Sequence, residues 1–157
     1  MLLFTTAFAA FPSFRHNVLN LMIDTFDDRT NLQLIPEKSS EQTSIADNIV
    51  VNWLPEGYEL ISQNHTGRST RNVYQSQSGN RIQINLVFKE GVIVSIDTED
   101  AEVEACEVQG VTGLLAEKDG SFQISWMDNQ AGALWTIFGE GISKADIIQI
   151  AENVRIK

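Results

Sequence analysis

Residues 81–86 read Arg-Ile-Gln-Ile-Asn-Leu, and this short run decides the fold class. Polar and apolar side chains alternate at every position, which is the period of a β-strand with one buried face and one wet face. Such alternation is typical of antiparallel sheets, because one side of the sheet packs on the core while the other meets water. The run therefore predicts a strand inside an antiparallel sheet.

Period-two patterns continue on both sides of this run and are separated by turn signals that contain glycine. These signals lie at residues 78–80, 90–91, 109–110, 119–120 and 132. Their spacing is that of successive hairpins in a β-meander. We predict eight strands, near residues 58–64, 71–77, 80–88, 92–97, 102–108, 111–117, 121–127 and 133–138.

The C-terminal segment has the period of a helix instead. Four apolar residues fall on one helix face at positions i, i+3, i+4 and i+7: Ile147, Ile150, Ala151 and Val154. Ser143 can cap this helix, and Asp146 occupies the position that completes a capping box. We expect the apolar face of the helix to dock on the sheet.

Residues 53–58, Trp-Leu-Pro-Glu-Gly-Tyr, mark the predicted start of the folded domain, 53–157. Pro55 holds the preceding residue in an extended conformation, and Gly57 supplies the positive φ that the following turn requires. Trp53 and Tyr58 flank the turn and can bury large rings on either side of it.

The chain before this run divides into three predicted parts. Residues 1–11 are apolar and uncharged, and three interpretations stay open: a buried helix end, an unusual signal sequence, or the end of a membrane span. Residues 12–30 have the spacing of an amphipathic helix, and 31–52 form a polar linker. The fold class predicted for the whole chain is α+β: a curved antiparallel β-meander of about seven or eight strands, with the C-terminal helix packed on it and the N-terminal amphipathic helix beside it.

The composition limits the choice of partners. The formal net charge is −10, from 21 acidic and 11 basic residues, and such a field repels nucleic acid and anionic membrane surfaces. We therefore predict no nucleic-acid partner and membrane contact only through the N-terminal segment. The single cysteine, Cys106, cannot form an internal disulfide, and its pattern is that of a small core residue.

The most distinctive polar element is a run of six carboxylates in residues 97–107, with no basic residue among them. Asp97, Glu99, Asp100 and Glu102 are the candidate binding residues, because Ca²⁺ favours several carboxylate oxygens. The run departs from the EF-hand pattern at Ala101, where that pattern has a ligand. A solvated loop and strand edge explains the same residues, since like charges discourage edge-to-edge pairing, and this is the interpretation we favour.

Motifs for catalysis are absent from the sequence. It contains neither a G-x-S-x-G elbow nor an S-x-x-K signature, and two separated histidines with one cysteine do not make a structural zinc site. We accordingly predict a protein that is not an enzyme, with no catalytic residues, no metal site and no cofactor.

Five motifs in order resemble a known family: residues 53–58, 96–101, 108–110, 126–129 and the helix segment 141–152. Together they resemble the domain of unknown function four-three-six-seven, found mostly in Gram-positive anaerobes. A more distant likeness joins the first and last motifs to the C-terminal domain of RseB/MucB-type sigma-factor regulators. The residues that we assign to the structural core and the family motifs are Trp53, Pro55, Gly57, Tyr58, Gly110, Trp126, Ile147, Ile150 and Ala151.

The resemblance implies an extracytoplasmic, membrane-anchored setting, and it brings no catalytic residues with it. We expect a non-enzymatic binding or sensory domain with a protein or peptide partner at the cell envelope, in envelope-stress or sigma-factor signalling. Two alternatives stay open. One is a lipid or lipopeptide carrier that uses an apolar concave sheet; the other is a carboxylate-based hydrolase built on the acidic run. Oligomeric state is not predicted.

Overall fold

The computed structural model describes residues 21–25, 29–34, 49–67, 69–88, 93–97 and 101–157. These residues form twelve strands and one helix, in the order β1 (Leu21–Thr25), β2 (Arg29–Leu34), β3 (Ile49–Val51), β4 (Tyr58–Thr66), β5 (Ser69–Ser76), β6 (Arg81–Val87), β7 (Ile93–Asp97), β8 (Glu102–Val108), β9 (Val111–Lys118), β10 (Ser121–Asp128), β11 (Ala133–Glu140), α1 (Lys144–Glu152) and β12 (Val154–Ile156). The mostly antiparallel α+β architecture predicted from the sequence is confirmed.

One seven-stranded antiparallel sheet dominates the fold, with the strand order β4-β5-β6-β11-β10-β9-β8. It consists of two meanders, β4 to β6 and β8 to β11, which meet where β6 pairs with β11. We call this β6–β11 pairing the seam. After β6 the next strand of this sheet is β8, which lies at the opposite edge. The prediction of one continuous meander is therefore wrong at this point. The reason is that the seam is a pairing between segments far apart in sequence, which local periodicity does not reveal.

The helix face of the sheet carries the core. Trp126 and Trp135 lie opposite each other on β10 and β11, and their rings stack with centroids 5.7 Å apart. Across β10, Trp126 is paired with Gly113. A Cβ atom on Gly113 would lie 2.9 Å from the Ser125 carbonyl oxygen and 3.2 Å from the Trp126 Cβ, so the missing side chain lets the strands pack around the indole.

Helix α1 packs on β8, β10 and β11, as the sequence predicts. Its buried residues are Ile147, Ile150 and Ala151, which belong to the same core cluster as the two tryptophans. The predicted capping box is present: the Asp146 backbone N–H donates to Ser143 Oγ (3.1 Å) and the Ser143 N–H donates to Asp146 Oδ2 (2.9 Å). These bonds satisfy backbone donors that a helix otherwise leaves without partners.

The end of the helix is held by the β8–β9 turn. The Gln109 side-chain amide donates to the carbonyl oxygens of Ala151 (2.7 Å) and Val154 (2.9 Å), and its backbone N–H donates to Glu152 Oε1 (2.8 Å). The last carbonyl groups of a helix have no partner within the helix, so this turn supplies one. The turn therefore fixes the helix against the sheet.

A small second sheet closes the domain, in which β12 pairs with β3. This finding corrects the predicted linker, 31–52: its last residues, Ile49–Val51, are a strand, so the packed domain begins before Trp53. It also shortens the predicted helix, because Val154 begins β12 after the cap residue Asn153. Pairing with a distant strand replaces a further helical turn at this point.

The N-terminal predictions are only partly open to comparison. Of the predicted amphipathic helix, 12–30, residues 12–20 and 26–28 lie outside the described residues, as do 1–11 and 35–48. Where the structure describes that segment, the helix prediction is wrong, because β1 and β2 are antiparallel strands. The predicted strand at 92–97 exists as β7, yet it pairs with β2 in a separate three-stranded sheet. Strand pairing, within the β1–β2 hairpin and between β2 and the distant β7, overrides the helical spacing there.

Strand β4 is an edge of the large sheet and carries the exposed apolar residues Leu60 and Ile61. Its register with β5 shifts between Leu60 and Ser62, which is a β-bulge. A bulge on an edge strand interrupts the regular row of backbone groups that a second chain would pair with.

The docking of α1 gives a stability prediction. Ile150 is fully buried against the sheet, so Ile150→Ala should lower the free energy of unfolding by about 2–5 kcal/mol through lost burial and a residual cavity. The measurement is urea denaturation followed by circular dichroism. Gln149→Ala, at an exposed position of the same helix, is the control and should change stability by less than about 0.5 kcal/mol. Equal effects of the two substitutions would contradict the docking.

Candidate binding site

The sheet face opposite α1, which we call the pocket face, carries a row of polar residues across four strands. The strand registers place Arg71 of β5 opposite Asn85 of β6, Asn85 opposite Thr136 of β11, and Thr136 opposite Ser125 of β10. The row crosses the seam, so two of its members come from each meander. It exists only when the two halves of the sheet are joined.

Asn85 organises the β6 end of this row. Its Oδ1 atom accepts a hydrogen bond from Arg71 Nε (3.1 Å) and a second one from Gln83 Nε2 (3.3 Å). The bond to Nε orients the exposed guanidinium group, which is planar and carries its donors in a rigid fork.

At the β10 end, two hydroxyl groups form a buried pair. Ser125 Oγ donates to Thr136 Oγ1 at 3.3 Å, and both residues are at most 7% exposed. Because Thr136 Oγ1 accepts this bond, its own proton is left to donate elsewhere. Next to the pair, Met127 and Leu134 pack together as a small apolar cluster on the same face.

These residues surround a pocket of about 380 Å³. It is lined by Ser69, Thr70, Arg71, Gln83, Asn85, Val87, Gln123, Thr136 and Phe138. The volume is within the range of small-molecule sites, about 300–1,000 Å³. The lining combines amide and hydroxyl groups with one charged residue, Arg71, and with the apolar surfaces of Val87 and Phe138. Such a lining suits a polar ligand that makes directional hydrogen bonds.

The acidic candidates from the sequence lie elsewhere. Asp97 is the last residue of β7, and Glu102, which is exposed, begins β8. Glu99 and Asp100 lie outside the described residues. Within the described part of the chain, no group of three His, Cys, Asp or Glu residues is close enough to hold a metal ion. The binding role of the acidic run stays a prediction.

The motif residues at the start of the domain have structural roles. Gly57 has a φ of +86°, which glycine adopts without strain in the turn after Pro55. Trp53 packs against the core cluster. The Tyr58 hydroxyl donates to the Glu140 carbonyl oxygen at 3.0 Å, which ties the beginning of β4 to the end of β11. Partial burial of this phenol raises the pKa of Tyr58.

Other motif residues determine the backbone conformation of turns or belong to the core. Gly110 has a φ of +78° in the β8–β9 turn that holds α1, and Trp126 is part of the tryptophan stack. Asp128, at the end of the 126–129 motif, accepts hydrogen bonds at Oδ1 from the backbone N–H groups of Gln130 (3.0 Å) and Ala131 (2.9 Å). These bonds fix the turn into β11. These motif residues therefore maintain the fold, and no described motif residue lines the pocket.

Sequence reasoning missed the residues that do line it. The alternation in 81–86 indicates a wet face that includes Gln83 and Asn85, and this was the available signal. Arg71, Thr136 and Gln123 carry no such signal, because only the registers of β5, β10 and β11 bring them to the same place. His65, one of the two separated histidines, lies on β4 and shares a hydrogen bond with Thr70 through Nδ1 (3.0 Å).

The fold and this face define a class: an antiparallel α+β domain with a polar pocket on the side of the sheet opposite its helix. A family model described as "Domain of unknown function (DUF4367)" matches residues 48–154. The chain belongs to this family, as the ordered motifs predict. No curated protein and no solved structure matches the chain. Among the described residues, no helix has the length and apolar character that crossing a membrane requires.

Cys106 gives a prediction about chemical reactivity. Burial raises the pKa of its thiol to about 11, and the nearby Glu104 carboxylate adds to this, with the Lys144 ammonium acting in the opposite direction. Because only the thiolate is nucleophilic, a rise from 9.0 lowers its reactive fraction at pH 8 by roughly a hundredfold. At pH 8, iodoacetamide should therefore modify Cys106 roughly a hundredfold more slowly in the native protein than in the protein unfolded by urea. A native rate that stops rising near pH 9 would contradict the elevated pKa.

Proposed function

We propose that this chain is a non-enzymatic binding or sensory domain, that it works outside the cytoplasm as part of a membrane-tethered protein, and that the pocket on the face opposite α1 is its ligand site. The observation that carries the proposal is the pocket itself. Its described lining is drawn from four strands and contains Arg71 and six side chains with amide or hydroxyl groups: Ser69, Thr70, Gln83, Asn85, Gln123 and Thr136.

The rigidity of the surroundings supports this proposal. The lining residues lie on strands in the centre of the sheet, and β6 and β11 have neighbours on both sides. Side chains on central strands are held in place more firmly than those on loops, so the polar groups need little reordering when a ligand binds. The pocket is thus preorganised for ligand binding.

The arrangement favours a binding domain over the carrier and hydrolase alternatives. A carrier needs an open apolar concavity, whereas the apolar face of this sheet is packed by Ile147, Ile150 and Ala151 of α1. A hydrolase of the kind considered needs two converging carboxylates. In the part of the chain that the structure describes, no Asp or Glu residue lines the pocket.

The extracytoplasmic setting and the link to envelope or sigma-factor signalling rest on the resemblance to the family. A sensory domain would report ligand occupancy to the rest of the tethered protein, with a protein or peptide partner at the envelope as the receiver. The acidic surface is consistent with such a partner carrying basic residues, since complementary charge speeds association.

Binding can be tested by NMR on the ¹⁵N-labelled chain. The probes are free amino acids, short peptides, mono- and disaccharides, and dodecanoic acid. We expect at least one polar probe to shift the backbone amide signals of β5, β6 and β11 around the pocket. Gln123→Phe, which fills the pocket from β10, should abolish these shifts, whereas Gln149→Phe on the exposed face of α1 should leave them unchanged.

Two results would count against this proposal. Shifts produced by dodecanoic acid alone, centred on α1 and the residues beneath it, would indicate the carrier instead. A complete lack of shifts at the pocket with every polar probe would overturn the assignment of the pocket as the ligand site.

The location can be tested with reporter fusions in a bacterial host. Alkaline phosphatase folds only where its disulfides form, so its fusion after Lys157 of the natural gene product should be active if the domain lies outside the cytoplasm. A matched fusion to β-galactosidase, which works in the cytoplasm, should be inactive. The reverse pattern of activities would contradict the extracytoplasmic setting.

A further inference from the structure

We infer that the ligand of the pocket carries a carboxylate group and that Arg71 binds it. This inference rests on the proposed function, since it assigns the ligand class of the same pocket. It concerns a small polar carboxylate, whether the carboxylate belongs to the end of a short peptide or to a sugar acid.

The charge distribution is the first argument. Among the described residues that line the pocket, Arg71 is the one with a charge, and no acidic side chain accompanies it. The chain as a whole has 21 acidic residues and a formal net charge of −10. A guanidinium group that lines a pocket without a carboxylate neighbour, on a chain so rich in carboxylates, leaves a local positive site. A negatively charged group on a ligand would neutralise the Arg71 charge.

The geometry of Arg71 is the second argument. Arg71 Nε donates to Asn85 Oδ1 at 3.1 Å, and Asn85 Oδ1 is also engaged by Gln83 Nε2 at 3.3 Å. Arg71 is exposed, and this bond orients its guanidinium group before a ligand arrives while using only one of the five N–H donors. In the described part of the chain, Arg71 has no ion pair with an acidic residue. The Nη donors match the two oxygens of a carboxylate in a bidentate arrangement.

The remaining lining determines what the carboxylate is attached to. Gln83, Gln123 and Thr136 offer both donors and acceptors, and Phe138 and Val87 offer apolar contact. A hydrocarbon chain would leave the amide groups without partners, which costs free energy when they are removed from water. Peptide groups or sugar hydroxyls would pair with them. The lining therefore favours a carboxylate on a hydrogen-bonding body over a fatty acid.

The experiment uses two matched pairs of probes on the full chain. N-acetyl-alanyl-alanine is compared with its C-terminal amide, and D-glucuronic acid is compared with D-glucose. Each is titrated while the backbone amide signals of β5, β6 and β11 are followed by NMR. We expect one of the two acids to shift these signals and to bind at least tenfold more tightly than its neutral counterpart. The pair that responds identifies the body of the ligand.

Three variants decide whether Arg71 is responsible. Arg71→Gln should weaken binding of the acid at least tenfold and abolish its advantage over the neutral probe. Arg71→Lys keeps the charge but lacks the fork, so it should bind with intermediate affinity. Arg81→Gln is the control: Arg81 is an exposed residue of β6 outside the pocket lining, and its loss makes the same change in net charge. It should leave affinity within about twofold of the original, and melting curves should show that all three variants are folded.

The outcomes separate this inference from the proposed function. Equal binding of an acid and its neutral counterpart at the pocket, or equal loss of affinity in Arg71→Gln and Arg81→Gln, overturns the carboxylate assignment while the pocket remains a binding site. The absence of pocket shifts with both acids also overturns the carboxylate assignment. The proposed function is then decided by the neutral probes, whose shifts at β5, β6 and β11 would uphold it and whose failure would overturn it too.

Discussion

The pairing of β6 with β11 is the constraint on which the large sheet depends. Among the described strands it is the one pairing that joins the meander β4 to β6 with the meander β8 to β11. Leu86 of β6 lies opposite Trp135, which in turn lies opposite and stacks on Trp126. Leu86 and Trp135, which are paired at the seam, therefore belong to the fully buried part of the core. Since burial of large apolar side chains is the main favourable contribution to folding, the buried cluster that places Leu86 of β6 beside Trp135 of β11 holds the two halves together.

The same seam creates the pocket. Arg71 and Asn85 belong to one meander, and Thr136 and Ser125 belong to the other. By contrast, the residues that identify the family, such as Tyr58, Gly110 and Asp128, make turns and tie strands together. These motif residues therefore report the architecture of the domain, and the residues that line the pocket are not among them.

Much of the fold could be predicted because its signals are local. The alternation in 81–86 and the Ser143–Asp146 capping box each need only a few neighbouring residues, and both are present in the structure. The errors have a common physical origin. The helix expected at 12–30 contains β1 and part of β2, the linker expected at 31–52 contains β3, and β7 leaves the main sheet. For β2, β3 and β7 a partner strand far away in sequence decides the outcome, whereas β1 pairs with its sequence neighbour β2.

The site was less predictable than the fold for the same reason. Gln83 and Asn85 could be assigned to a wet strand face, but nothing near Arg71 in sequence indicates that its guanidinium group would meet Asn85. That contact depends on the register of β5 against β6, which is set along whole strands. The acidic run is easy to find because it depends only on composition. The pocket depends on how the strands are paired, which the sequence does not show directly.

Because the pocket lies across the seam, a bound ligand would contact both meanders at once. Separating them would expose the tryptophan stack and also break the ligand's contacts, so the ligand would bind the folded chain and not the unfolded one. By mass action, a ligand present at 100 times its Kd then adds about 2.7 kcal/mol to the free energy of unfolding. The occupied and empty forms of such a domain would differ in how often the sheet opens at β6 and β11. Occupancy could therefore be transmitted through the lifetime of the folded sheet, without a change in its average shape.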